Sequence, residues 1–309
     1  MIRMENVVKR YNELIALDHF SFSATEGEII GLLGPNGCGK TTAINCMLSL
    51  LTFDKGEIEI FGQEVHPNNN AVKGRIGIVP QELAIFEKLN VYENIDFYCG
   101  LYVSDRKARK ALVEEAIDFV DLAKYRKFVP KKLSGGLKRR LNIACGIAHK
   151  PSLLFMDEPT VAVDAQSRNF ILEGIRKMKA QGTTIIYTTH YLEEAEQLCD
   201  RMVIMDSGRN IAQGTVHELQ NSISTQERIE VGLITDDNTI EAQLEELPHV
   251  VKVTRRNGNH LIHFEKQENN LPNLIKFIES RNLTYTELSS ERSTLSDIFL
   301  ELTGKELRD

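Results

Sequence analysis

The sequence predicts an α/β fold: a strand-and-helix core interrupted by a helical subdomain and followed by a small α+β domain. Three observations carry this. Apolar runs such as "GEIIGLLG", "SLLFMDEP", "TTIIYTTH" and "RMVIMDSG" alternate with segments of helical spacing, the order expected of a parallel sheet. From about Val91 to Lys150 the apolar residues recur at helical spacing with no strand pattern between them. Beyond a polar stretch at Asn221–Gln226 the order becomes β-α-β-β-α-β, a split β-α-β arrangement.

Taken in order, residues 1–33 read as β segments, closing on "GEIIGLLG", an apolar run of the kind found in strands buried on both faces. "KTTAINCMLSLL" (40–51) reads as helix, "GEIEIFG" as a half-buried strand and "IGIVPQ" as another strand. "VYENIDFYCGLY", "RKARKALVEEAIDFVDL" and "LKRRLNIACGIAHK" make the helical insertion, placed at about 88–150. Strands then alternate with "QSRNFILEGIRKMKAQG" and "YLEEAEQLCD". This gives a first domain over 1–220 and a second over 221–309, with 221–226 as linker. In the second, Asn257-Gly258 marks a hairpin turn.

Bulk composition narrows the function. The chain of 309 residues is 42% hydrophobic and 26% charged, an ordinary globular balance. Its net charge of -7 argues against a dedicated nucleic-acid binder, which is basic overall or carries a basic stripe. Cys38, Cys46, Cys99, Cys145 and Cys199 are scattered without a CxxC pair, as in reduced cytosolic proteins. The first residues lack the apolar core of a signal peptide, and no apolar run approaches the ~18 residues that span a bilayer. A membrane role would therefore need another polypeptide to cross.

"GLLGPNGCGKTT" contains G-x-x-x-x-G-K-T from Gly34 to Thr41, between a predicted strand and a predicted helix. Gly34, Gly37 and Gly39 let backbone N–H groups turn toward phosphate oxygens, and the helix N-terminus adds positive potential. Lys40 supplies a charge to the terminal phosphates and the Thr41 hydroxyl suits Mg²⁺. The whole loop, with Pro35, Asn36, Cys38 and Thr42, is expected at the nucleotide. Cys38, near that helix start, is expected to have a lowered thiol pKa. Asp157, ending an apolar strand, is a candidate metal ligand, and Glu158 a candidate general base. No guanine-reading N-K-x-D pattern is present, which favours ATP over GTP.

"KKLSGGLKRR" (131–140) could by itself be a loop, a nucleic-acid patch or a phosphate-binding helix start. Beside the phosphate loop, its "LSGG" resembles the signature motif of the ATP-binding-cassette (ABC) ATPases, and the resemblance covers about residues 2–220. It adds Tyr11 as the aromatic that stacks on adenine and Gln81, in "VPQE", as the glutamine that touches Mg²⁺. It also adds Asp164, in "PTVAVD", on the loop crossing a dimer interface, and His190, in "YTTH", as the switch histidine at the γ-phosphate. By themselves Tyr11 could be a core aromatic, Gln81 a turn residue and His190 a structural histidine.

The resemblance implies a P-loop ATPase with a mixed sheet that forms a head-to-tail homodimer or heterodimer. Ser134, Gly135 and Gly136 of one subunit would then complete the ATP site of the other. It also implies an integral-membrane permease as partner, no nucleic acid, and a peripheral place on the inner face of the cell membrane. Leu137 stands where most of the family has Gln, but "LSGGMKRR" is common in the export branch whose permease is separately encoded. Ala162 and Ala165 depart from that branch's "PTVGVDPQSR". Of Lys138, Arg139 and Arg140, at least two are expected on a solvated helix face. The expected activity is ATP hydrolysis powering an exporter. A non-transport ABC ATPase and a regulatory ATP-binding subunit are the alternatives.

Overall fold

The computed structural model describes residues 1–223, 227–235, 237, 239–265 and 269–304. Residues 224–226 of the expected linker, and the last five residues, lie outside that description. The chain divides into two compact units at Thr215–Val216, so the second unit begins with a short helix that the sequence pattern did not reveal.

The first unit runs through β1 (Ile2–Tyr11), β2 (Leu14–Ala24), β3 (Ile29–Leu33), α1 (Lys40–Met47), β4 (Lys55–Ile60), β5 (Gln63–Glu64), α2 (Asn70–Lys73) and β6 (Ile76–Val79). The helical insertion follows as α3 (Val91–Gly100), α4 (Arg106–Phe119) and α5 (Gly135–Ile147). The unit closes with β7 (Leu153–Asp157), α6 (Ala165–Ala180), β8 (Thr184–Thr188), α7 (Leu192–Leu198), β9 (Arg201–Asp206) and β10 (Arg209–Gly214).

Two sheets divide these strands. A six-stranded sheet has the order β10-β9-β3-β8-β7-β6, parallel from β9 to β6 and antiparallel at β10. A separate antiparallel sheet has the order β2-β1-β4-β5. β3 and β8 are buried at every position, as parallel strands covered on both faces should be. Between the sheets lies a core built around Met4, Phe20, Leu32, Met47, Ile60 and Phe155. The edge strand β10 was not legible, because "RNIAQG" lacks apolar alternation. It is placed by the two-residue turn at Ser207 (φ 50) and Gly208 (φ 77), whose positive φ values suit a tight hairpin.

Several helices start where a side chain can take their free N–H groups, although α1 has no side-chain cap. Asn90 and Glu93 form a capping box on α3. Ser134 caps α5 and Asp164 caps α6. These two caps later prove to be neighbours.

The second unit comprises α8 (Val216–Asn221), β11 (Glu227–Ile234), α9 (Ile240–Glu245), β12 (Val250–Arg256), β13 (Asn259–Phe264), α10 (Asn270–Ser280), β14 (Thr284–Arg292) and α11 (Leu295–Thr303). Its sheet order β12-β13-β11-β14 is antiparallel throughout. The hairpin turns at Asn257 (φ 52) and Gly258 (φ 90). Ile229, Val231, Ile262, Phe264, Leu274 and Ile278 fill the core.

His263 in β13 is buried, its Nε2 3.3 Å from the Thr254 hydroxyl. Burial, reinforced by Lys252, pushes its imidazole down from the ordinary 6.5 to about 4. The folded chain thus keeps His263 neutral where the unfolded chain takes up a proton. Its contribution is complete above pH 6.5 and is lost as pH falls toward 4. The loss approaches ~3 kcal/mol, at 1.36 kcal/mol per unit. Thermal unfolding of the full chain at pH 7 and 4.5 should show a smaller acid shift for His263→Gln than for the wild type. Equal shifts would contradict this role.

Candidate active site

The phosphate loop follows β3 and opens α1. Gly37 (φ 80) and Gly39 (φ 111) hold left-handed backbone. A Cβ on Gly39 would sit 2.5 Å from the Ala16 carbonyl, so the loop can close against β2 only with glycine there. Lys40 is buried, and its Nζ donates to the carbonyls of Gly34 (2.6 Å) and Pro35 (3.2 Å). The ammonium is therefore held inside the curve of the loop. Asn36, Gly37 and Thr41 are exposed along it, with Thr42 half-buried.

Cys38 departs from expectation. Its thiol is buried, and burial pushes its pKa up rather than down. The nearby Lys40 charge opposes that shift but is the lesser effect. Position near a helix start lowers a thiol pKa only where solvent or a cation can support the thiolate. The alkylation sensitivity expected of a reactive thiol therefore does not follow.

The end of β7 delivers the acidic groups, and Thr188 at the end of β8 holds them. Asp157 Oδ1 accepts from the Thr188 hydroxyl at 2.5 Å, and Oδ2 from the Thr41 hydroxyl at 3.3 Å. Adjacent ligands of an octahedral ion bound at ~2.1 Å lie ~3 Å apart, so the Thr41 and Asp157 oxygens fit a shared Mg²⁺. Glu158 is buried and has φ 47, an uncommon conformation for a side-chain-bearing residue. Its backbone N–H donates to the Thr188 hydroxyl at 3.0 Å, which helps hold that turn. Its Oε2 accepts from Gln81 Nε2 at 3.0 Å and lies 3.4 Å from His190 Nδ1. The structure thus joins Gln81, Glu158 and His190, three residues far apart in sequence, at one carboxylate oxygen.

The remaining residues form a second cluster and one outlier. Ser134 and Gly135 are exposed on the turn before α5. Gly136 is buried behind them against Ser167 and Asp164. Asp164 accepts from the N–H and hydroxyl of Ser167, both at 2.9 Å. Those bonds hold its carboxyl below the usual range. The signature turn and the loop before α6 are therefore one packed element, on which Ala162 (φ 58) also carries left-handed backbone. Tyr11 ends β1 with 43% of its surface exposed, so it is not a core aromatic. Lys9 Nζ lies 5.2 Å from its ring centroid.

The basic run after the signature is not a solvated face. Arg139 and Arg140 are buried. Arg139 donates to the carbonyls of Gln81 (2.8 Å) and Pro80 (3.2 Å). Asn142 donates to Pro80 O at 3.2 Å and accepts from Ala84 N at 3.0 Å. The Arg140 guanidinium stacks 3.8 Å over Phe170. Helix α5 therefore grips the loop that carries Gln81. Sequence reasoning missed this because charge alone predicts exposure, and only the fold reveals unpaired carbonyls within reach.

Comparison with known proteins agrees with this geometry. Residues 17–161 match the family model described as ABC transporter. Residues 214–303 match the one described as ATP-binding protein DrrA1-3-like, C-terminal domain. The chain is 37% identical to the linearmycin resistance ATP-binding protein of Bacillus subtilis (strain 168), over all of both chains. It is 35% identical to Nod factor export ATP-binding protein I of Burkholderia orbicola (strain AU 1054), over 100% of this chain and 98% of the other. A solved structure of an ATP-binding subunit of an ABC transporter superposes with a TM-score of 0.66 at 25% identity, covering 72% of this chain and 92% of its own. The chain belongs to the ATP-binding-cassette transporter family, as one of its ATP-hydrolysing subunits.

Proposed function

We propose that this subunit powers an exporter by closing, with ATP, a head-to-tail pair of copies around two nucleotides. The observation that carries the reading is the division of site residues into two faces. Lys40 and Thr41 lie on the phosphate loop with Asp157 at the Thr41 hydroxyl, and Gln81 and His190 meet at the carboxylate of the adjacent Glu158. Ser134 and Gly135 sit exposed on a separate turn backed by Asp164 and Ser167.

In this reading the loop N–H groups and Lys40 hold the phosphates of ATP, and Tyr11 stacks on adenine. Thr41, Asp157 and Gln81 would hold Mg²⁺, which when bound neutralises phosphate charge. Glu158 accepts a proton from the attacking water, while His190 and Gln81 fix the carboxylate that does so. The partner's signature turn closes the site over the γ-phosphate with its Ser134 hydroxyl and helix N-terminus. The second unit serves as an accessory domain.

Among the described residues no helix is long and apolar enough to cross a membrane, so export would require a permease. A groove of about 220 Å³ beside the Gln81 loop suits such a partner. It is lined by Pro80, Ala84, Tyr98, Leu101, Tyr102 and His149. Leu101 is 64% exposed, and Phe86 and Phe97 add exposed aromatic surface. Exposed apolar area of this kind marks an interaction site. A tagged chain expressed in its native host should fractionate with membranes. Leu101→Asp should release it while purified protein keeps its basal ATPase. A wild-type chain found wholly in the soluble fraction would contradict the reading.

A further inference from the structure

Behind the loop that carries His190 lies a buried polar cluster. Its centre is Glu194 on α7, only 4% exposed. Three hydroxyls converge on one of its oxygens, Oε2: Tyr187 at 2.7 Å, Thr160 at 2.8 Å and Thr189 at 3.1 Å. Its other oxygen lies 3.4 Å from Arg168 Nε. A carboxylate withdrawn from water costs several kcal/mol unless hydrogen bonds and a counter-charge offset it, and here both are present. Burial first, then the Glu194 charge, push the Tyr187 hydroxyl well above its ordinary pKa. Tyr187 therefore remains a donor at any working pH.

The positions of those donors matter more than their number. Thr160 lies two residues after Glu158. Tyr187 precedes Thr188, whose hydroxyl binds both Asp157 and the Glu158 N–H. Thr189 immediately precedes His190, and its hydroxyl also accepts the Tyr191 N–H at 3.0 Å. Arg168 lies four residues after Asp164, and its guanidinium sits 4.4 Å over the Tyr191 ring. That ring in turn lies 4.2 Å from the ring of His190. Thr160, Tyr187 and Thr189 are almost wholly buried, so none of them faces solvent. One carboxylate thus ties together the segment after Glu158, the strand that supports it, the loop before His190 and the helix behind the signature turn.

We infer that Glu194 is a positioning residue for ATP hydrolysis, fixing the 3.4 Å approach of His190 Nδ1 to Glu158 Oε2. The inference rests on the roles proposed above for Glu158 and His190. Catalytic groups displaced by about 1 Å can lose ~100-fold in rate. Loosening the tether should therefore lower kcat while leaving nucleotide affinity, set by the phosphate loop, in place.

The test uses the full chain, measuring ATP turnover and the Kd of trinitrophenyl-ATP at a temperature where each variant is folded. Glu194→Gln keeps the size but loses the charge, and should lower kcat by about 10- to 100-fold with Kd within about twofold. Tyr187→Phe removes one of the three donors and should lower kcat by a few fold, again at unchanged Kd. Because Glu194 acts through His190, Glu194→Gln combined with His190→Ala should be no slower than His190→Ala alone. Wild-type kcat in folded Glu194→Gln overturns the inference, as does a double variant whose losses multiply. If Glu194→Gln does not fold, wild-type kcat in Tyr187→Phe overturns it. Full turnover by His190→Ala would instead overturn the role proposed for His190, and the inference with it.

Discussion

Glu158→Gln should bind ATP with near-wild-type affinity and turn it over ~10²- to 10⁴-fold more slowly, the range lost when a general base is removed. The amide is isosteric and its oxygen still accepts from Gln81, whose Nε2 lies 3.0 Å from the carboxylate. The backbone bond from residue 158 to Thr188 is untouched. What disappears is the capacity to take the proton of the attacking water. The variant should therefore accumulate in the ATP-bound form, visible as a doubled mass by light scattering with ATP and a single mass with ADP. Normal turnover would remove Glu158 from the chemistry.

The second large effect is expected at the signature turn, where two adjacent glycines should behave differently. A Cβ on Gly136 would lie 2.1 Å from Ser167 Oγ and 2.8 Å from its Cβ. Ser167 must then move, breaking its bonds to Asp164. Overpacking of this kind costs ~1–3 kcal/mol, and the displaced turn should lose ~100-fold in ATPase. A Cβ on Gly135 meets nothing nearer than the Ala162 carbonyl at 3.8 Å. Gly135→Ala should therefore keep its melting temperature yet lose ATPase if its exposed face closes on a partner's phosphate. Gly136→Ala with wild-type stability would contradict the packing argument. Gly135→Ala with full activity would contradict the closure argument.

Much of this was legible in the sequence because it is encoded locally. The phosphate loop announces itself by glycine spacing between a strand and a helix, and the buried parallel strands by unbroken apolar runs. In the second unit the Asn257-Gly258 turn and the order of strands and helices after it were readable, but its first helix, Val216–Asn221, was not. What was not legible depends on contacts between distant segments. Arg139 and Arg140 looked like solvated charge, but the fold supplies carbonyls and an aromatic ring to receive them. Cys38 looked reactive by position, and burial reverses that. Glu194 sits in an ordinary acidic helix, "YLEEAEQL", and nothing local distinguishes it from Glu193 or Glu196. Only the assembled sheet brings three hydroxyls to it.

Two faces of one chain, each half of an ATP site, make a claim that mixing tests most directly. Lys40→Ala disables the phosphate face and Gly135→Ala the signature face. Each protein alone should hydrolyse ATP poorly. When the two are combined, a mixed pair contains one site in which an intact phosphate loop meets an intact signature turn, so ATPase activity should reappear. A mixture no more active than its components would place the whole site within a single chain and contradict the account.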